Sequence, residues 1–405
     1  MTISKRAKKL QSTPSAIIIG HGLCAEDPYS LKNPRGYLNF GTAENHLMDE
    51  ILLPKLNQAL KLDSNHIQYN TLYGMEDVRI TCADFLERYL RINHIKQTNL
   101  VMQTGVSAIC ESLSFAMFDQ GDIIMIPSPY YTGFEYDFTK RFGCKFLKVQ
   151  QSHCTDFSLS IRNFEKIYNE APDKSKIKAI LITQPNNPTG EILSKQFIVD
   201  IINFAKKYDL ELISDEIYAL SNHDRRPHHS LYQDAFAAGA KAHLLYGLAK
   251  DFALAGLKVG MFYTEDTELL KVMQELSYFH PISTHTQLLV KSLLSDDPFL
   301  KNFIKINNTR LAALDKMFKK SLPNIKLNPC ESGLFMMMDL SDHCESFEDE
   351  TKLFSHFINK LKINMTPGKE LGLTTPGFFR ICYAKNKEDV LEFLVRMKRF
   401  HPREI

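Results

Sequence analysis

The sequence predicts an α/β fold: a large, doubly wound domain with a mostly parallel sheet, and a smaller α+β domain. Three observations carry this. Short β-rich runs alternate with helical patterns from about Ile67 to Tyr278. Those runs are continuously apolar rather than alternating, as strands covered on both faces are. And 405 residues, 44% of them hydrophobic, suffice for two domains with real cores.

The apolar runs place strands at about residues 123–126, 145–149, 179–183, 211–214, 243–246 and 258–264. Helical patterns lie between them, for example over 107–118 and 194–208. Beyond residue 290 helices dominate, with strands expected at 333–340 and 378–383. Residues 67–290 are thus expected to form the large domain. Residues 291–405 should form the small one, with 1–66 contributing to it.

Composition narrows the function. A formal net charge of +2 gives no field for nucleic acid or an anionic membrane. The aliphatic run Ala16-Ile17-Ile18-Ile19 is too short for a signal sequence or a membrane span. Lys5, Arg6, Lys8 and Lys9 form a basic tip that reads as a solvated, frayed tail. The eight cysteines are scattered without a CxxC pair, which suits reduced thiols in a cytoplasmic protein. None of the fourteen histidines has metal-ligand spacing, and His228-His229 sit in a polar loop, so no metal is expected.

Three polar sites follow predicted strands, where open α/β sheets bind ligands. In Gln184-Pro185-Asn186-Asn187-Pro188-Thr189-Gly190, two prolines and a glycine fix a turn that aims Asn187. Ser214-Asp215-Glu216-Ile217-Tyr218 closes a strand with an acid and a phenol. Lys250 ends Tyr246-Gly247-Leu248-Ala249-Lys250, where lost hydration would lower its pKa, as an amine that forms a Schiff base requires. Alone, Lys250 is an ordinary solvated lysine and Asp215 a helix cap. Spacings of 28 and 35 residues, each about one crossover unit, allow the three to meet at one sheet edge.

Together these residues resemble the fold-type I pyridoxal-phosphate enzymes, the aspartate-aminotransferase superfamily, from about Tyr37 to Ala384. The resemblance implies an aspartate-aminotransferase-like large domain and pyridoxal 5'-phosphate as cofactor. Lys250 would bond the cofactor aldehyde and shuttle the substrate Cα proton. Asp215 would pair with the ring nitrogen, while Asn187 and Tyr218 would hold the phenolic oxygen. Val106 and Ser107, where Thr104-Gly105-Val106-Ser107 opens a helix, would cradle the phosphate. Tyr73 would reach that phosphate from a neighbouring subunit, implying a homodimer. Tyr131 would stack on the ring, and Arg380 would grip the substrate carboxylate. Two departures stand out: Gly247 where the family has serine or threonine, and Lys258 where it has arginine.

Within the superfamily the chain is most similar to 1-aminocyclopropane-1-carboxylate (ACC) synthases and their relatives. The stretches that carry this are Asn39-Phe40-Gly41-Thr42-Ala43-Glu44-Asn45, Tyr73-Gly74-Met75-Glu76-Asp77-Val78-Arg79 and Pro127-Ser128-Pro129-Tyr130-Tyr131. Glu44 matches the glutamate that such enzymes place beside S-adenosylmethionine. Tyr136 stands where an arginine is common. The sequence leaves three outcomes open: an ACC synthase-type lyase, an aminotransferase, or a catalytically silent member of the family.

Overall fold

In the computed structural model, which describes residues 3–10, 15–58, 62–151, 157–223 and 227–400, most of the chain is organised on one seven-stranded sheet. In chain order a short strand, β1 (Leu38–Asn39), precedes the strands of that sheet. These are β2 (Leu100–Gln103), β3 (Ile123–Ser128), β4 (Lys145–Gln150), β5 (Ile177–Thr183), β6 (Glu211–Asp215), β7 (Ala242–Gly247) and β8 (Gly260–Thr264). They lie in the order β2-β8-β7-β6-β5-β3-β4. All point the same way except β8, which runs antiparallel to both of its neighbours.

The continuous apolar runs are explained by helices on both faces. Ile124, Ile126, Leu181 and Ile213 pack on one side, with Ile109 and Leu113 of the helix Val106–Met117. Met125, Ile180, Ile182 and Leu212 pack on the other, with Ile198 and Ile201 of the helix Lys195–Lys207. Strand β2 had not been expected from the sequence, because its four-residue run is too short to stand out. The strand expected from residue 258 begins instead at Gly260, since Lys258 takes a left-handed conformation with φ 53°.

The C-terminal part contributes β9 (Lys326–Leu327), β10 (Phe335–Asp339), β11 (Ile363–Asn364), β12 (Thr366–Pro367) and β13 (Phe378–Cys382). Four of these form an antiparallel sheet, β12-β13-β10-β9. β1 pairs in parallel with β11, and the ring of Phe40 sits 4.3 Å from that of Phe393. The N-terminal segment is thereby built into the C-terminal layers.

One sequence expectation is corrected. Lys5–Leu10 is a helix rather than a frayed tail: Lys-Arg-Ala-Lys-Lys-Leu are good helix formers, and Ala7 donates its N–H to the Ser4 hydroxyl at 3.1 Å. In the loop before Ser230, His228 Nε2 lies 2.6 Å from the buried Glu216 carboxylate. Among the described residues seven cysteines are free; Cys154 lies outside them. No helix among the described residues is long and apolar enough to cross a membrane.

Glycine 260 lets β8 approach the turn that starts the helix Val106–Met117. A Cβ there would come within 2.5 Å of the Gly105 carbonyl carbon and 2.7 Å of the Val106 nitrogen. Gly260→Ala should therefore cost about 1–3 kcal/mol. Gly22, in the helix Ala16–Glu26, has open space around its would-be Cβ, so Gly22→Ala should be neutral or stabilising. Denaturant midpoints check both; equal midpoints for the two variants would contradict the close approach.

Candidate active site

The parallel strands end at one edge of the sheet, and the loops leaving them carry the predicted groups. Ser107 follows β2, Tyr131 follows β3, Asn187 follows β5, Asp215 closes β6, and Lys250 follows β7. All five, with Tyr218, line one cavity of about 170 Å³. A wider cleft of about 440 Å³ opens beside it, sharing Tyr131, Lys250 and Lys258 and adding Glu44 and Arg380. A third groove, about 770 Å³, lies at the opposite ends of the strands; it is an open surface where Lys241 pairs with Asp209 at 2.9 Å.

Burial sets the protonation of the two central groups. It lowers the Lys250 ammonium to a pKa of about 8, so about a fifth of this amine is neutral near physiological pH. Its Nζ donates to the Ala43 carbonyl at 2.7 Å, which aims it between the cavity and the cleft. Burial also raises Asp215 to about 7. Asp215 accepts from the Ile217 N–H at 3.3 Å and forms no ion pair among the described residues. A cationic partner would restore its charge.

Arg380, on β13, is buried without a carboxylate partner among the described residues. Its Nη1 donates to Asn187 Oδ1 at 3.0 Å, and Asn187 Nδ2 donates to the Tyr218 hydroxyl at 3.3 Å. Its Nη2 donates to Thr366 Oγ1 at 3.1 Å and to the Gly41 carbonyl. Nε has no hydrogen-bond partner among the described residues. The guanidinium lies 4.7 Å from the centre of the Phe335 ring. A buried, partly unsatisfied guanidinium beside a cleft is suited to a planar carboxylate.

At the other end of the cavity, Gly105 (φ 93°) caps the helix Val106–Met117, whose first amides have no intrahelical partner. Lys258 lies close by: its Cα and Cδ are each 3.9 Å from the position a Gly105 Cβ would take. Gly247 has a packing reason. A Cβ there would fall 2.8 Å from the Val259 carbonyl oxygen and 2.9 Å from Val106 Cγ2. Val106 fills the space that a serine or threonine side chain would need. Tyr131 packs edge-on against Phe134, and a Cβ on Gly133 would lie 2.2 Å from its ring.

Glu44 is half-exposed in the cleft. Its hydrogen bond to His46 Nε2, at 3.3 Å, is the main cause holding its carboxyl down at about 2. Tyr73 lines neither cavity; its ring lies under the Arg79 guanidinium, 5.0 Å away. Sequence reasoning missed Asp137, a cavity-lining acid that burial raises to about 7. The signal was present: Phe134, Asp137 and Phe138 share one helical face, and both phenylalanines are buried.

These donors fit pyridoxal phosphate. An amine stands where an aldehyde could be captured, a buried acid lacks a cation, an amide and a phenol lie together, and free helix amides sit beside a lysine. The aminotransferase class I and II profile matches residues 35–397. ACC synthase 6 of Oryza sativa subsp. japonica is 29% identical over 98% of this chain and 78% of its own length. A protein named as a probable aminotransferase of Arabidopsis thaliana is equally 29% identical, over 98% and 85%. The aspartate aminotransferase of Thermus thermophilus with maleate superposes with a TM-score of 0.80 at 19% identity, covering 98% of this chain and 99% of its own. The chain therefore belongs to the class I and II aminotransferase family and is a pyridoxal-phosphate-dependent enzyme with the aspartate-aminotransferase fold.

Proposed function

We propose that the protein is a lyase of the ACC synthase type, converting S-adenosylmethionine to ACC and methylthioadenosine. The observation that carries this reading is Glu44, held ionised in the cleft that Lys250 and Arg380 also line. A fixed carboxylate there complements a sulfonium, and the roughly 440 Å³ cleft has room for a bulky substrate.

Bound pyridoxal phosphate supplies an aldehyde for the substrate amine and a ring that draws electrons from Cα. In this reading the chain's own residues do the rest. Arg380 orients the α-carboxylate through parallel hydrogen bonds. Lys250 takes the Cα proton, for which its lowered pKa suits it. Asp215 keeps the ring nitrogen protonated, while Asn187 and Tyr218 hold the phenolic oxygen. Val106, Ser107 and Lys258 hold the phosphate, and Tyr131 covers the ring. Glu44 keeps the sulfonium close. The Cα–Cγ bond then forms as the Cγ–S bond breaks, and methylthioadenosine leaves with the electron pair.

Two further elements belong to the proposal. The active site is shared in a homodimer: Tyr73 lies outside its own chain's cavities, and Ile67, Tyr69, Tyr278 and Phe279 are exposed around the Asn70–Thr284 hydrogen bond. The grouping of residues 1–66 with 291–405 around 67–290 is supported by the pairing of β1 with β11. A second reading, amino-group transfer to a 2-oxo acid, is favoured by the A. thaliana relative that matches as well as the synthase does. The steric fit of Val106 against Gly247 argues against a silent protein, because the missing hydroxyl reflects packing rather than decay.

Adding pyridoxal phosphate to apoprotein should produce a near-violet absorption band that Lys250→Ala abolishes. The protonated ammonium has no lone pair, so uptake should quicken as pH rises through about 8; a rate flat between pH 7 and 9 would contradict the lowered lysine. Holoenzyme should release methylthioadenosine from S-adenosylmethionine, and Glu44→Gln should raise its KM roughly tenfold with cofactor affinity unchanged. Keto acids from common amino acids without methylthioadenosine would select the second reading. Lys258→Arg should slow cofactor loss on dialysis through its two-pronged grip; unchanged or faster loss would show that the cup is fitted to lysine.

A further inference from the structure

Lys250 is held at its tip and at its base by different parts of the chain. At the tip, Nζ donates to the Ala43 carbonyl at 2.7 Å. At the base, residues 248–252 form the turn after β7, and the backbone bonds that close it are long. The Ala253 N–H reaches the Lys250 carbonyl at 3.3 Å, and the Leu254 N–H reaches the Leu248 carbonyl at 3.2 Å. Shorter bonds come from the neighbouring side chain. Asp251 is buried; its Oδ2 accepts from the Tyr246 hydroxyl and the Leu220 N–H, each at 3.0 Å, and its Oδ1 accepts from the Ser221 hydroxyl at 2.7 Å.

Tyr246 belongs to β7 itself, whereas Leu220 and Ser221 belong to the segment that leaves β6 and carries Tyr218. That segment is a firm anchor. The Ser221 N–H donates to the Tyr218 carbonyl at 3.1 Å, and the Ser221 carbonyl accepts from the Gly333 N–H at 2.7 Å and from the Ser332 hydroxyl. Three donors converging on one buried carboxylate are a directional clamp, because each would be costly to leave unpaired. We propose that Asp251 is a positioning residue for Lys250: it locks the lysine turn to the Tyr218 turn and so places the ε-amine where the cofactor aldehyde arrives. This rests on the reading in which Lys250 bonds that aldehyde. A turn released from the clamp would spread Nζ over several positions, and regathering it would weaken the bond. The Tyr218 turn keeps its own bonds to residues 332–333, so contacts to the ring and phosphate would be retained.

The test compares the dissociation constants of pyridoxal phosphate and of deoxypyridoxine phosphate, in which a methyl group replaces the aldehyde. The ratio of the two isolates the bond to lysine from every contact that both ligands share. Asp251→Ala should lower the preference for the aldehyde roughly tenfold while leaving the affinity for the analogue nearly unchanged. Ser221→Ala removes one donor, disturbs the core less, and should move the ratio in the same direction; it carries the test where Asp251→Ala does not fold. The amide of Asp251→Asn can still accept from Leu220 and Tyr246 and donate to Ser221 Oγ, so this variant should stay close to wild type. Equal loss for both ligands would mean general loosening and would overturn the proposal. So would a loss in Asp251→Asn as large as in Asp251→Ala, which would assign the effect to charge. Lys250→Ala tests the underlying reading in the same assay and should abolish the preference. A preference that survives Lys250→Ala means that the lysine itself is misassigned. One that vanishes there but persists in Asp251→Ala and Ser221→Ala overturns the positioning role alone.

Discussion

Withdrawal of the Lys250 amine from water is the constraint on which the site depends. Burial costs the ammonium its hydration and brings its pKa to about 8, and one directed hydrogen bond, to the Ala43 carbonyl, fixes where it points. That bond joins the large sheet to the N-terminal strap. The same strap offers the Gly41 carbonyl to Arg380 and the Glu44 carbonyl to the Cys382 thiol. A few residues between β1 and the helix Asp49–Leu56 thus hold the amine and the guanidinium in register. Gly41 has a packing reason of its own, since a Cβ there would meet Asn364 Nδ2 at 2.8 Å.

The charges of the site are arranged as complements left incomplete. Among the described residues Asp215 is an acid without a cation, Arg380 a cation without an acid, and the helix at Val106 presents amides without acceptors. Each calls for a complementary partner, because a buried charge or donor is costly unless it is paired. A zwitterionic cofactor and a substrate with a free carboxylate would satisfy all of them together. Behind the site, Asp251 accepts from the Leu220 N–H at 3.0 Å, the Ser221 hydroxyl at 2.7 Å and the Tyr246 hydroxyl at 3.0 Å. It thereby ties the turn after Asp215 to the turn that carries Lys250.

Much of this could be read from residue order. Apolar runs covered on both faces gave the parallel strands, and the strand-to-loop junctions gave Asn187, Asp215 and Lys250. What escaped was set by tertiary contact. Strand β2 is four residues long and owes its existence to pairing with β8. The reversal of β8 leaves no local mark, since an antiparallel buried strand looks as apolar as a parallel one. Lys258 falls in a left-handed turn because Val259 and Gly260 must pass close to Gly247 and Gly105. Asp137 sits in a polar stretch, Glu135-Tyr136-Asp137, and only its helical phase with Phe134 and Phe138 turns it inward. Gly247 was read as a missing hydroxyl, whereas the side chain of Val106 occupies that place.

Borohydride reduction of the protein after incubation with stoichiometric pyridoxal phosphate, followed by peptide mass mapping, tests the central claim most directly. Lys250 alone should carry the phosphopyridoxyl group. A label spread over surface lysines, with Lys250 unmodified, would contradict it.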